Sequence, residues 1–259
     1  MNSEGIPLLE FDDDTTALIQ PHFFARGKPV LPERCVMPMY GYVIDGLRRA
    51  GKLERIHEIA TGAGPLFSIE VFKAEFEGAY VAVVFPGIGA PFAAAMLEEL
   101  IALGCRQFVA CGGGGVLKSE LKRGTIVIPS AAVRDEGTSY HYLPPSRSVA
   151  MDRGIVHKLE GVLVRHNVDY EVGKTWTTDA FYRETRGKIS RRKREGCLMV
   201  EMECAALLAV AQLRGVAFGQ YLSAGDDVSG LDWDPRYVAN STSFHEKAFW
   251  LSVEACLSL

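Results

Sequence analysis

From residue 35 onward, short and uniformly apolar runs alternate with longer stretches that place apolar residues every three to four positions, and glycine falls at many of the switches. The short runs predict buried strands and the longer period predicts amphipathic helices. Cys35-Val36-Met37-Pro38 reads as the end of a first strand, and Val43 to Arg55 as a helix. Phe67 to Phe76 and Val81 to Phe85 form a hairpin pattern that turns near Glu77-Gly78. Val81-Ala82-Val83-Val84-Phe85 is apolar throughout, as a central strand covered on both faces should be. Gly87-Ile88-Gly89 breaks that run, and Pro91 to Leu103 follows as a helix ended by Gly104. Gln107 to Cys111 is the next strand, then come four consecutive glycines, Gly112 to Gly115. Thr125 to Pro129 and Gly219 to Ala224 read as further strands. Ser146 to His166 carries a helix, Glu201 to Arg214 is an Ala- and Leu-rich helix, and Tyr237 to Leu259 closes the chain as a helix.

Strands alternating with helices predict an α/β fold, a single domain whose central mixed, mostly parallel twisted sheet is flanked by helices. There is no internal repeat or linker, so residues 35–259 are expected to form that domain. Residues 1–34, with Asp12-Asp13-Asp14 and little periodicity, are expected to form an N-terminal arm that packs late or against a partner subunit.

With 259 residues the chain is long enough to bury most of its apolar surface without staples. A net charge of -4 gives no reason to expect nucleic-acid or acidic-membrane binding, and the basic run Arg191-Arg192-Lys193-Arg194 reads as a solvated face. The six cysteines form no CxxC pair and several sit in apolar runs, which suggests reduced, buried thiols rather than a disulfide framework or a metal site. No apolar stretch approaches the ~18 residues needed to span a bilayer, and Met1 to Asp14 lacks the apolar core of a signal peptide. A soluble cytoplasmic protein is expected.

In such folds ligands bind beyond the carboxyl ends of the strands. Four segments there are chemically unusual. Phe85-Pro86-Gly87-Ile88-Gly89-Ala90-Pro91 leads from a buried strand into a helix N-terminus, where backbone can approach a ligand, although tight turns also need glycine. It does not match the GxGxxG dinucleotide fingerprint. Gly112 to Gly115 makes most sense where a substrate lies flat against bare backbone amides. Glu201-Met202-Glu203 flanks a soft apolar side chain with two acids at the mouth of an apolar helix. A carboxylate there can accept two hydrogen bonds from a vicinal diol, or the acids can simply suit a helix dipole. Asp226, just past an apolar strand, is placed for proton donation to a leaving group, or for a turn.

Together these segments resemble the nucleoside phosphorylase family, which includes uridine phosphorylase, hexameric purine nucleoside phosphorylase and methylthioadenosine nucleosidase. The likeness runs from about Val81 to the C-terminus, roughly two thirds of the chain. It rests on Gly87 to Pro91, Gly112 to Gly115, Thr177-Thr178-Asp179-Ala180-Phe181-Tyr182, Val200-Glu201-Met202-Glu203 and Asp226, and uridine phosphorylase-like members are nearest. The resemblance implies cleavage of the N-glycosidic bond of a nucleoside, with no cofactor and with inorganic phosphate as co-substrate. Glu203 would grip the ribose hydroxyls with Met202 and Glu201 beside it. Phe181, with Gly114, Gly115 and Arg186, would hold the base. Gly87 and Gly113 would meet phosphate, and Asp226 would protonate a purine leaving group.

The chain departs from the family at the phosphate site. The G-D-P-x-R turn reads Met37-Pro38-Met39-Tyr40-Gly41-Tyr42, and Ala110 stands where an arginine precedes the glycine loop. A third arginine, normally given by a neighbour, has its counterpart near Phe67. Arg34, Arg48, Arg49 and Arg106 are candidate substitutes. A nucleosidase's water-activating glutamate has no match, Glu54 and Glu58 lying further on. His141, among tyrosines, is a candidate for the base pocket or the subunit interface, or for ordinary packing. Phosphorolysis with an atypical phosphate pocket, hydrolysis at the same site and non-catalytic nucleoside binding therefore remain the readings. The family forms hexamers or dimers, so a homo-oligomer is expected.

Overall fold

A computed structural model describes residues 5–60, 68–237 and 241–259. Its strands are β1 (Arg34–Pro38), β2 (Glu54–Ala60), β3 (Ser68–Phe76), β4 (Ala79–Val84), β5 (Gln107–Val116), β6 (Ile126–Asp135), β7 (Ser148–Ala150), β8 (Tyr170–Thr178), β9 (Cys197–Glu201) and β10 (Ala217–Asp227). Its helices are α1 (Pro21–Ala25), α2 (Gly41–Arg49), α3 (Ala90–Ala102), α4 (Arg153–Arg165), α5 (Arg186–Arg194), α6 (Cys204–Arg214) and α7 (Ser241–Ser258). Phe67, the expected start of the hairpin, and residues 238–240 of the expected last helix lie outside the described residues.

β5 organises the sheet. The strand order is β10-β6-β8-β9-β5-β1-β4-β3-β2, and β10 also pairs with β5, so five strands close on themselves while β1, β4, β3 and β2 extend from β5. The expected mixed sheet is present. Its parallel ladders join β1 to β4 and β5, β5 to β10, and β8 to β6 and β9, while the outer strands pair antiparallel. α7 packs on β1, β4, β5 and β10, and α6 lies between the sheet and α3. That position explains why every residue from Cys204 to Ala211 is buried.

Three expectations are corrected. The helix expected to run to Arg55 stops at Arg49, where Gly51, at φ 70°, turns the chain left-handed and Glu54 to Ala60 becomes a strand beside β3. The glycine stretch is not a loop after a strand that ends at Cys111: Gly112, Gly113 and Gly114 continue β5 opposite Leu222, Ser223 and Ala224. Arg192 in the basic run is buried, 3.2 Å from Asp135, and its guanidinium lies 5.4 Å from the Trp176 ring centroid. Its neighbours Arg191, Lys193 and Arg194 remain exposed.

The hairpin turns at Glu77 and Gly78, both at positive φ (51° and 81°), the geometry that matches strand twist. All six cysteines are buried thiols. The N-terminal segment runs over the surface. The Leu31 amide donates to the Leu103 carbonyl, α1 lies against α3, and Leu18, Ile19 and Phe23 face outward. Among the described residues, no helix is long and apolar enough to cross a membrane.

Candidate functional site

The carboxyl ends of β1, β5, β9 and β10 surround a cavity of about 700 Å³. Gly113, Gly114 and Gly115 form one wall; Gly114 tolerates no side chain and Gly115 is tight. A Cβ on Gly114 would lie 2.5 Å from the Val200 carbonyl oxygen, and one on Gly115 would lie 3.0 Å from a Val200 methyl. The glycines therefore let β9 come close to β5. Gly113 has room, with nothing nearer than 3.8 Å, and its bare surface faces the cavity.

Glu201 ends β9 and Glu203 starts α6, so the acid pair belongs to a strand-to-helix turn and not to the helix expected to begin at Glu201. The Glu201 carboxylate accepts the backbone N–H groups of Glu203 and Cys204 (both 2.7 Å) and the Thr177 hydroxyl (2.5 Å). The Thr177 oxygen in turn accepts the Ala205 amide at 2.9 Å, which locks β8, β9 and α6 together. Burial, and then the nearby Glu203 charge, push the Glu201 carboxyl up to about 8, against the pull of its donors. Glu201 therefore holds its proton at neutral pH and serves the scaffold. Glu203 Oε1 accepts the Gly89 amide at 2.7 Å, tying the turn after β4 to the acid. Burial raises Glu203 too, opposed by the amides of Gly89 and Met202. Of the two, Glu203 is the acid that lines the cavity without a side-chain partner of its own, its Oε1 accepting only the Gly89 amide.

Across the glycine wall stands Asp226. Its Oδ2 accepts the indole N–H of Trp233 at 2.6 Å, which leaves the other oxygen to the cavity. Phe181 and Tyr182 cover the opening with rings 4.1 Å apart and largely exposed. Glu184 follows them into the same lining, and burial together with the Asp226 charge pushes its carboxyl up to about 7.

A second cavity, also about 700 Å³, shares the wall of Gly113, Gly114, Asp226 and Trp233. It holds the Tyr40 and Ser223 hydroxyls, which hydrogen-bond to each other, together with Arg123 and His245. His245 stacks on Tyr40 at 4.1 Å and bonds to the Tyr42 hydroxyl. Burial and then the Arg123 charge hold its imidazole down near 4, so it is neutral at pH 7.

Of the residues expected at the site, Asp226, Glu203, Met202, Glu201, Phe181, Gly113, Gly114 and Gly115 come together around the first cavity. Two do not. Gly87 lines neither cavity: it sits at φ 79°, and a Cβ there would strike the Phe92 ring at 2.0 Å, so a turn and packing account for it. Arg186 donates to the Leu231 carbonyl at 3.0 Å and lines neither cavity. His141 is exposed in a short 3₁₀ turn away from both. The substitute arginines are also elsewhere. Arg34 begins β1 at the opposite end of the strand, Arg48 pairs with Asp45, Arg49 donates to the Asp45 carbonyl, and Arg106 donates to the carbonyls of Ile101 and Cys105. Glu54 and Glu58 pair with Lys73 and Arg55 on the outer strands.

Sequence reasoning missed Glu184, Trp233, Arg123, His245, Tyr40 and Ser223. Only Trp233, a large aromatic in the polar stretch Ser229 to Asp234, carried a local signal.

A mixed sheet partly closed on itself carries, at its strand ends, a cavity walled by glycine and acids, the place where α/β sheets bind ligands. Residues 39–248 match the Phosphorylase superfamily, so the chain belongs to that family and is an enzyme of the nucleoside phosphorylase type. It is similar to the guanosine phosphorylase of Halorubrum lacusprofundi, 27% identical over 218 residues that cover 81% of this chain and 90% of that protein. It is also similar to the uridine phosphorylase of Treponema pallidum, 32% identical over 157 residues, 55% of this chain and 59% of that one. The matched stretch therefore spans less than two thirds of that uridine phosphorylase. Among solved structures, the purine nucleoside phosphorylase of Toxoplasma gondii superposes with a TM-score of 0.73 at 22% identity, covering 88% of this chain and 91% of that one. The uridine phosphorylase of Vibrio fischeri gives 0.74 at 19%, covering 96% and 99%. At those identities the likeness establishes the fold.

Proposed function

We propose that the protein cleaves the N-glycosidic bond of a ribonucleoside by phosphorolysis, releasing the free base and a pentose 1-phosphate. The observation that carries this reading is the opposition of Glu203 and Asp226 across the bare wall of Gly113 to Gly115. A nucleoside laid on that wall meets an anionic hydrogen-bond acceptor at its sugar and an acid at its base. Glu203 accepts hydrogen bonds from the ribose 2′- and 3′-hydroxyls, and its charge favours the oxocarbenium-like transition state as the bond breaks. Asp226 protonates the leaving base through the oxygen that Trp233 does not occupy. Phe181 and Tyr182 offer aromatic surface over the base, and Met202 packs on the sugar.

Phosphate enters from the second cavity. Among the described residues the nucleoside cavity has no arginine or lysine in its lining, and Arg123 lines the adjoining one, with the Tyr40 and Ser223 hydroxyls and the neutral His245 as further hydrogen-bonding groups. The same lack of a cation among the described residues of that lining favours a second reading, hydrolysis with water in place of phosphate. The exposed Leu18, Ile19 and Phe23 of the arm support assembly as a homo-oligomer. The protein is proposed to act in the cytoplasm.

Base release from purine and pyrimidine nucleosides, with and without phosphate, tests the reading. Phosphate-dependent release with sugar 1-phosphate as product is the expected result, with Arg123→Ala raising KM for phosphate about tenfold and leaving that for the nucleoside nearly unchanged. Equal release without phosphate would establish hydrolysis, and nucleoside binding without release would end the enzymatic reading.

A further inference from the structure

We propose that Trp233 is a positioning residue for proton transfer: its indole N–H assigns the transferable proton of Asp226 to the carboxyl oxygen left to the cavity, and steadies the carboxylate that remains. This role rests on the reading of Asp226 as the acid, and it holds with phosphate or water as the acceptor.

β10 sets the aim of the acid. Its register against β5 shifts between Ala224, opposite Gly114, and Asp227, opposite Val116, so β10 carries one extra residue there. A bulge of this kind turns the side chain it carries. Gly225 permits the close approach, since a Cβ on it would lie 2.9 Å from the Gly114 carbonyl oxygen. Asp226 thereby enters the lining of both cavities at the glycine wall. Its neighbour Asp227 is committed elsewhere, to the Arg236 guanidinium and to the Ser229 amide at 2.7 Å.

Past β10 the chain doubles back. Asp227 and Asp234 exchange backbone hydrogen bonds of 2.7 and 3.0 Å, which brings Trp233 onto Asp226, its Nε1 2.6 Å from Oδ2. The returning segment is tied down from outside. The carbonyls of Ser229, Leu231 and Pro235 accept Lys193 (3.1 Å), Arg186 (3.0 Å) and Arg123 (3.3 Å). Arg236, within the segment, donates to the carbonyls of Leu121 (2.7 Å) and Ser119 (3.3 Å). All of this holds a tryptophan that is 62% exposed. An indole so open contributes little to a core, so packing does not account for the fastening. Arg186, which the resemblance sets on the base, serves this segment instead.

An indole N–H donates and cannot accept. In a protonated carboxyl the carbonyl oxygen is the better acceptor, so a donor fixed on Oδ2 makes Oδ2 the carbonyl and leaves the proton on Oδ1. Among the described residues Oδ1 has no hydrogen-bond partner. As the bond between C1′ and the base nitrogen breaks, its electron pair goes to the base, which takes the proton from Oδ1. The acceptor oxygen bonds to C1′, and the proton it gives up returns to Asp226 through solvent. The indole keeps its own proton throughout, and its hydrogen bond strengthens as Asp226 becomes anionic. Without the indole the two oxygens are equivalent, and a proton on the one turned away does not reach the base.

The test compares wild type with Trp233→Phe, which keeps a ring and loses the N–H, and with Trp233→Gln, whose amide N–H stands the same number of bonds from the backbone. Initial rates on a purine ribonucleoside and on a nitrophenyl riboside, which needs no protonation, give kcat and KM separately. Trp233→Phe is expected to lower kcat on the purine nucleoside about ten- to a hundredfold, the loss of a hydrogen bond to a charged group. Its KM and its nitrophenyl rates should stay near those of wild type, and Trp233→Gln should recover most of the lost kcat. An equal loss on both substrates, a change confined to KM, or a Trp233→Gln variant no better than Trp233→Phe would overturn the proposal.

Indole N–H NMR spectra of the intact protein give a readout that needs no turnover. One of the three tryptophan signals, identified by its loss in Trp233→Phe, is expected to move upfield in Asp226→Asn, where the charged acceptor is gone, while the other two stay in place. A signal that does not move would overturn the proposal. If the wild type cleaves no nucleoside, the proposed function fails while this shift still decides whether Trp233 holds Asp226.

Discussion

Replacing Glu201 by glutamine should make the protein more resistant to unfolding at neutral pH relative to wild type, and the gain should vanish in acid. Glu201 is 5% exposed, and its carboxyl titrates near 8 in the folded chain against 4.5 when unhindered. The folded value is raised, so the folded state holds the proton longer than the unfolded one. Below pH 4.5 the group costs nothing. Between 4.5 and 8 each pH unit removes about 1.4 kcal/mol of stability, and above 8 the cost is constant. From pH 5 to 7.5 this amounts to roughly 3 kcal/mol, a large part of a typical domain's total of about 5–15 kcal/mol. Glutamine is neutral at every pH, and its carbonyl can accept the Glu203 and Cys204 amides while its NH₂ meets the Thr177 oxygen. Urea unfolding of both proteins at pH 5, 6, 7 and 7.5 measures the effect. The difference in ΔG between variant and wild type should rise toward neutral pH at constant m. Parallel stability curves across that range would refute the buried, protonated Glu201.

Glu203→Ala should lower kcat/KM on ribonucleosides by about 10²–10³-fold, the loss of two hydrogen bonds to a charged acceptor, with a smaller loss on 2′-deoxynucleosides. Equal losses on both would mean that Glu203 acts only by holding the Gly89 turn. Gly114→Ala should destabilise the fold by about 1–3 kcal/mol, because its Cβ meets the Val200 carbonyl. Gly113→Ala should keep the melting temperature and raise the nucleoside KM; the reverse pattern in thermal unfolding would contradict the contact geometry. Asp226→Asn should reduce purine cleavage at least about tenfold more than cleavage of a nitrophenyl riboside, compared by kcat/KM, and equal effects would argue against proton donation.

Much of the fold was legible from periodicity. The apolar run Val81 to Phe85, the Ala-rich stretch before Arg214 and the Glu77-Gly78 turn are local signals, and each specifies its element with little help from the rest of the chain. The glycine wall, the acid pair and Asp226 were legible as chemistry, because four glycines or two acids at the ends of apolar elements are costly unless something requires them. Local pattern could not decide where pairing or distance does. The Glu54 to Ala60 segment is a strand because β3 offers it a partner, and Gly112 to Gly114 stay in β5 because β10 runs alongside. Arg192 is buried because Asp135 and Trp176, more than forty positions away from each other, meet beside it. Glu201 and Glu203 look equivalent in sequence, yet one is sealed into the scaffold, where burial raises its carboxyl, and the other lines the cavity. Glu184, Trp233 and Arg123 reach the site only through the closure of β10 onto β5 and the turn after β8. Sequence thus determined which segments could be strands, helices or reactive loops, since those follow from neighbours along the chain. Tertiary structure alone decided which charges face one another, because a carboxyl's proton depends on groups brought near by folding.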